Sequence, residues 1–110
     1  MKLTLPVLLF AATLLTTAAA SADREFILTI ENHQFIPAEI QVPAGQRIVI
    51  TVVNKDPSSE EFESHELKVE KIIPPNGKVI VRVGPLKPGR YPFVGEFHAD
   101  TAQGTLVAKD

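Results

Sequence analysis

The stretch Arg47-Ile48-Val49-Ile50-Thr51-Val52-Val53-Asn54 decides the fold class. Side chains alternate across a strand, so Ile48, Ile50 and Val52 share one face, and Val49, Thr51 and Val53 share the other. Apolar residues on both faces predict a strand set deep in a sandwich. Towards the N-terminus, the turn Pro43-Ala44-Gly45 closes a short alternating piece, Glu39-Ile40-Gln41-Val42, and Phe26, Leu28 and Ile30 alternate before that. Towards the C-terminus, Asn54 to Ser64 reads as a loop, with Asp56-Pro57-Ser58-Ser59 and a crowd of glutamates. Leu67 and Val69 open another short strand, which ends at the turn Pro74-Pro75-Asn76-Gly77. Lys78 to Val83, Tyr91 to Gly95 and Gly104 to Ala108 follow as strands, with a possible helical turn near residues 99–103. About seven to eight short strands with regular turn signals predict an all-β fold, a sandwich or barrel, with the Greek-key β-sandwich preferred. The nine prolines suit loops and edges.

The first 22 residues read differently. Lys2 is the only charge before Asp23, Leu3 to Leu15 is almost wholly apolar, and Ala20 and Ala22 flank Ser21. This is the layout of a signal peptide cleaved after Ala22, and the run is shorter than the roughly 20 residues a membrane span needs. The expected organisation is a signal peptide at 1–22 and one small exported domain at 23–110, with no stable membrane insertion. Loss of Lys2 leaves ten basic against thirteen acidic residues, a net charge of −3. Mild acidity argues against nucleic acid as a partner. Cysteine is absent, which excludes disulfide staples and thiolate chemistry.

Three histidines remain as candidate ligands. His65 lies in Glu60-Glu61-Phe62-Glu63-Ser64-His65-Glu66, and His98 in Gly95-Glu96-Phe97-His98-Ala99-Asp100. Imidazole mixed with carboxylate suits borderline divalent metals. An isolated histidine is more often a hydrogen-bonded or surface group, and an acidic run more often a solvated loop. His33 sits between a first strand and Phe35, where a turn role is the commoner one. No activated nucleophile or catalytic carboxylate pairing is visible, so the expectation is that the protein is not an enzyme.

The chain resembles the cupredoxin family along residues 23–110. Phe35-Ile36-Pro37-Ala38-Glu39-Ile40-Gln41-Val42-Pro43-Ala44-Gly45, the turn Asn54-Lys55-Asp56, and Pro88-Gly89-Arg90-Tyr91-Pro92-Phe93 carry the likeness. In that family the last strand ends in C-x-x-H-x-x-x-x-M, and an earlier loop supplies a first histidine. Carried over, the first histidine falls on His65, the cysteine on Gly95, the second histidine on His98 and the axial methionine on Gln103. A blue-copper centre needs its thiolate. The resemblance therefore implies a harder site for copper (Cu2+) or iron, made of His65, His98 and Glu96, with Glu63 or Glu66 and the amide of Gln103 as further ligands. Strand alternation favours Glu63 over Glu66 as a companion of His65.

The block from Gly84 to Gly104 looks most like a cysteine-free branch of these domains associated with bacterial iron uptake, beside a high-affinity iron permease and a periplasmic iron-binding protein. The function so implied is periplasmic metal binding in support of iron uptake. The rival expectation is a metal-free interaction module docking on a membrane transporter or another periplasmic protein. Wide separation of His65 from His98, with Glu96 in solvent, would favour the module.

Overall fold

The computed structural model describes residues 2–9, 11–13 and 23–110. The proposed cleavage point after Ala22 lies outside these residues. The described domain is all-β, a sandwich of two mixed sheets, as expected, with nine strands rather than seven to eight. They are β1 (Arg24–Glu31), β2 (Gln34–Ile36), β3 (Glu39–Pro43), β4 (Ile48–Asn54), β5 (Glu60–Ser64), β6 (Val69–Ile73), β7 (Lys78–Val83), β8 (Gly89–Gly95) and β9 (Gln103–Lys109). One sheet has the order β2-β1-β4-β7 and the other β3-β9-β8-β5-β6. Among the described residues, no helix is long and apolar enough to cross a membrane.

The alternation seen in the sequence becomes the core. Leu28, Ile30, Ile48, Ile50, Val52 and Val81 line the inner face of the first sheet, against Ile40, Phe62, Ile73, Phe93 and Leu106 of the second. The deciding strand, β4, differs from expectation on one face. Ile48, Ile50 and Val52 are fully buried, but Val49, Thr51 and Val53 are only half-buried, because nothing packs over the first sheet's outer side among the described residues.

Two further differences bear on function. The stretch expected to be loop throughout, Asn54 to Ser64, is loop only as far as Ser59, and Glu60–Ser64 form β5. Its inward positions are Glu60, Phe62 and Ser64, so a glutamate and a serine stand where apolar residues would have revealed a strand. The helical turn also falls a few residues early, as a 3-10 turn over Glu96–His98.

Beneath that end of the second sheet, Phe35, Phe62 and Phe93 form an aromatic cluster. Phe35 meets Phe93 edge-on at 4.9 Å between ring centres, and Phe62 lies 5.0 Å from Phe93. Such pairs add about 0.5–1.5 kcal/mol beyond their buried area. Gly104 is required here, since a Cβ on it would stand 2.4 Å from the Phe93 ring. The cluster gives the adjoining loops a rigid floor.

Candidate functional site

The site begins at Asn54, where β4 ends. Its side chain is buried, with Nδ2 donating to the Ser58 carbonyl at 2.8 Å and Oδ1 accepting from the Asp56 N–H at 3.0 Å. This folds Asn54-Lys55-Asp56 into a tight turn and directs the Asp56 carboxylate to the end of the neighbouring strand β1. There Oδ1 accepts the Asn32 N–H at 2.8 Å and Oδ2 the His33 N–H at 2.9 Å. Asn32 and His33 are the two-residue loop between β1 and β2, with φ of 53° and 57°. A left-handed pair is the geometry of a tight hairpin turn, in which asparagine fits the first place and glycine is the usual second. A histidine in the second place costs about 1–2 kcal/mol of backbone strain, and the two bonds from Asp56 hold it there.

That strained turn sets His33 over His98. The two imidazoles stack with centres 3.5 Å apart and planes within 12°. Thr101 reinforces the approach by donating its hydroxyl to the His33 carbonyl at 2.7 Å. His33 Nε2 lies 3.5 Å from Ser58 Oγ.

Below the stack lies Glu60, only 1% exposed. Its Oε1 accepts the N–H groups of Glu61 at 3.0 Å and Phe97 at 2.9 Å, while Oε2 meets His98 Nδ1 at 2.6 Å. Both side-chain oxygens are thus committed, as buried polar atoms require. With Nδ1 held by Glu60, the free edge of His98 is Nε2. Among the described residues that nitrogen has no hydrogen-bond partner, and no buried side-chain polar atom is left unsatisfied, so it faces solvent.

Gly95 explains why Glu60 fits. A Cβ on Gly95 would lie 2.6 Å from Ala102 Cβ and 2.7 Å from Glu60 Cδ. The space a cysteine would need at the position implied by the resemblance is filled by the glutamate's carboxylate and an alanine methyl. The residues present therefore do not fit a blue-copper centre, which needs a thiolate beside two imidazoles.

The expected ligands divide into separate places. His98 is in the constellation just described. His65 lies beyond the far end of β5, exposed, where its carbonyl accepts the Lys68 N–H at 3.2 Å. Glu60, which holds His98, starts β5, so five residues at ~3.3 Å each put about 16 Å of strand between Glu60 and His65. His65 instead shares a groove of about 240 Å³ with Glu63, Glu66 and Glu96 on the outer face of the second sheet. Glu96 is exposed. Gln103 turns its amide to the Ala99 carbonyl, donating at 2.9 Å, and so fastens the loop that carries His98. The structure does not bring His65 and His98 together. Among the described residues no three His, Asp or Glu side chains converge to hold an ion.

The outer face is an acidic field. Glu63 pairs across the strands with Glu70. Its carboxyl is held above the usual range by a hydrogen bond with Glu96, by the charge of Glu96, and then by partial desolvation and the charges of Glu70 and Glu61. Glu61 is raised by partial desolvation, then by hydrogen bonding with Glu70 and by the charges of Glu70, Glu96 and Glu60.

Sequence reasoning left Glu60 outside the expected ligand set, in an acidic cluster read as a solvated loop or a second metal site, and gave His33 a turn as its commoner role, which it has, with ligation as the lesser one. Two signals pointed to them. Glu60 keeps the inward parity of Phe62, and His33 follows an asparagine in a two-residue interval between strand patterns.

Comparisons with known proteins follow the same frame. A protein of Rickettsia prowazekii (strain Madrid E), described as uncharacterized, is 43% identical over 86 residues, covering 78% of this chain and 69% of the relative. Among solved structures, the metal binding domain of the Cu(I) exporting P-type ATPase CopA of Streptococcus pneumoniae D39 superposes with a TM-score of 0.70 at 22% identity, covering 78% of this chain and 85% of that one. Auracyanin A, a blue copper protein of Chloroflexus aurantiacus, gives a TM-score of 0.68 at 15% identity, covering 80% of this chain and all of its own. These structural likenesses share the two-sheet sandwich. The profile of the cupredoxin-like domain family matches residues 4–108, and with that span and the sandwich in hand, the chain belongs to the cupredoxin-like domain family.

Proposed function

We propose that this protein is exported to the periplasm by cleavage after Ala22, and that it carries copper or iron there as cargo in support of iron uptake. It does so without a blue-copper centre and without catalysing a reaction. The observation that carries this reading is the Glu60–His98 pair under the strained His33 turn. A carboxylate on one imidazole nitrogen fixes the tautomer and raises the basicity of the other, the arrangement typical of metal-ligating histidine. Membership of a family whose structural neighbours include copper-binding domains supports copper as the first ion to test.

The stacked rings define how an ion would be met. Imidazole lone pairs lie in the ring plane, and two parallel planes 3.5 Å apart do not aim both at one ion some 2.0–2.1 Å from each nitrogen. His98 Nε2 is the donor, and His33 covers its ring face. Water, or the protein that receives the ion, supplies the other ligands. An open set of this kind suits transfer rather than storage. A high-affinity iron permease and a periplasmic iron-binding protein are the proposed recipients, a choice that rests on the sequence resemblance.

Calorimetric titration of Cu(II) into the purified protein tests this. Binding in the micromolar range, weakened by His98→Ala by at least the roughly tenfold that loss of even an outer-shell partner costs, and unaffected by His65→Ala, is the expected result. No intense band should appear at roughly 600 nm, where copper–thiolate centres absorb. Unchanged binding in His98→Ala would defeat the assignment.

The second reading, a metal-free module docking on a transporter or periplasmic partner, is favoured by the separation of His65 from His98 and by the exposure of Glu96. Absence of binding for Cu(II), Zn(II) and Fe(II) alike would select it.

A further inference from the structure

The outer face of the first sheet is unlike that of the second. Strand register places three outward rows across β1, β4 and β7: Glu25–Val49–Arg82, Ile27–Thr51–Ile80 and Thr29–Val53–Lys78. Ile27 is 68% exposed and Ile80 41%. Among the described residues neither Glu25 nor Arg82 has an ion-pair partner. The face is thus an apolar middle row, with a negative charge at one side of the next row and a positive charge at the other.

We propose that this face binds a second copy of the chain about a two-fold axis running along β4. Such an axis lays β1 of one copy on β7 of the other and matches each row to itself in reverse. Glu25 then meets the partner's Arg82, and Arg82 the partner's Glu25. Ile27 meets the partner's Ile80, and Thr51 meets its own equivalent. Lys78 falls on the partner's Thr29, so no like charges face one another within these three rows. Isologous pairing demands this self-complementarity, and packed sheets prefer nearly aligned strands, within about 30°. The other sheet could not pair in this way, because Glu61, Glu63, Glu70 and Glu96 would repel their copies. Because the axis follows the strands, both His98 ends point the same way.

Sedimentation velocity of the purified protein, from low micromolar to near-millimolar concentration, tests the proposal. A monomer–dimer equilibrium is expected. Arg82→Glu and Ile27→Lys should each weaken it at least about tenfold, the scale of lost central or charged contacts. Combining Glu25→Arg with Arg82→Glu should restore it, since the reversed charges again face each other. All three positions are exposed strand sites, and matching thermal unfolding curves confirm that the variants fold. A monomer throughout the range, a dimer indifferent to both single changes, or failure of the charge reversal to rescue would each overturn the interface.

Discussion

Two regions of this domain are built from the same residue types and behave in opposite ways. At the loop end of the sandwich, Glu60, His98 and His33 lie against a rigid aromatic floor, with each Glu60 oxygen matched to a donor. On the outer face of the second sheet, Glu61, Glu63, Glu70 and Glu96 crowd one another beside His65; partial desolvation and then Glu70 raise the Glu61 carboxyl, and the hydrogen bond and charge of Glu96 raise that of Glu63. Glutamate and histidine close together in sequence therefore do not make a site. Burial and fixed hydrogen bonds distinguish a positioned imidazole from a solvated one.

The sharpest way to break the comparison is to remove the buried carboxylate. Glu60→Ala leaves His98 Nδ1 and two backbone N–H groups without their acceptor, and should destabilise the domain by about 1–3 kcal/mol for each buried group left unsatisfied. Glu60→Gln keeps an oxygen for the two N–H groups and should cost less. Urea unfolding of both variants checks the order, and equal losses would mean that the carboxylate's charge contributes nothing.

Next in size is Gly95→Ala. Its added Cβ would press on Ala102 and Glu60 at 2.6 and 2.7 Å, so overpacking should cost about 1–3 kcal/mol. A variant as stable as the parent would show that the glutamate does not occupy that space.

The outer face should respond in the other direction. A carboxyl whose folded pKa is raised contributes stability below its unfolded pKa and loses that contribution as pH rises through the folded value. At neutral pH the ionised cluster is therefore a liability. Glu63→Gln should raise the urea midpoint at pH 7, and the gain should fade as the pH drops through the carboxylate range. A loss at pH 7 would mean that Glu63 makes a favourable contact on that face. The smallest effect belongs to His65→Ala, within about 0.5 kcal/mol of the parent, as for an exposed residue without a special role.

Most of the sandwich was legible in the residues, because period-two alternation survives in β1, β3, β4, β7 and β8. β5 was hidden by its own chemistry: an inward glutamate looks like a loop until the histidine that hydrogen-bonds it is known. β2 has three residues, too few to show a period. The site was legible in halves. The spacing from Gly95 to His98 pointed to the right loop. The partners did not show, because Glu60 lies 38 residues from His98 in the chain, and only the sheet register brings them together. His65 was the nearer histidine on paper, yet β5 carries it to the opposite end.

The most direct test follows the imidazole rings themselves. Nitrogen-edited NMR of the histidine side chains, with substoichiometric Cu(II) added as a paramagnetic probe, reports which ring the ion approaches. Selective broadening of His98 and the stacked His33, with His65 left sharp, is the expected result. Broadening of His65 first, with His98 unaffected, would move the site to the acidic face and contradict the assignment.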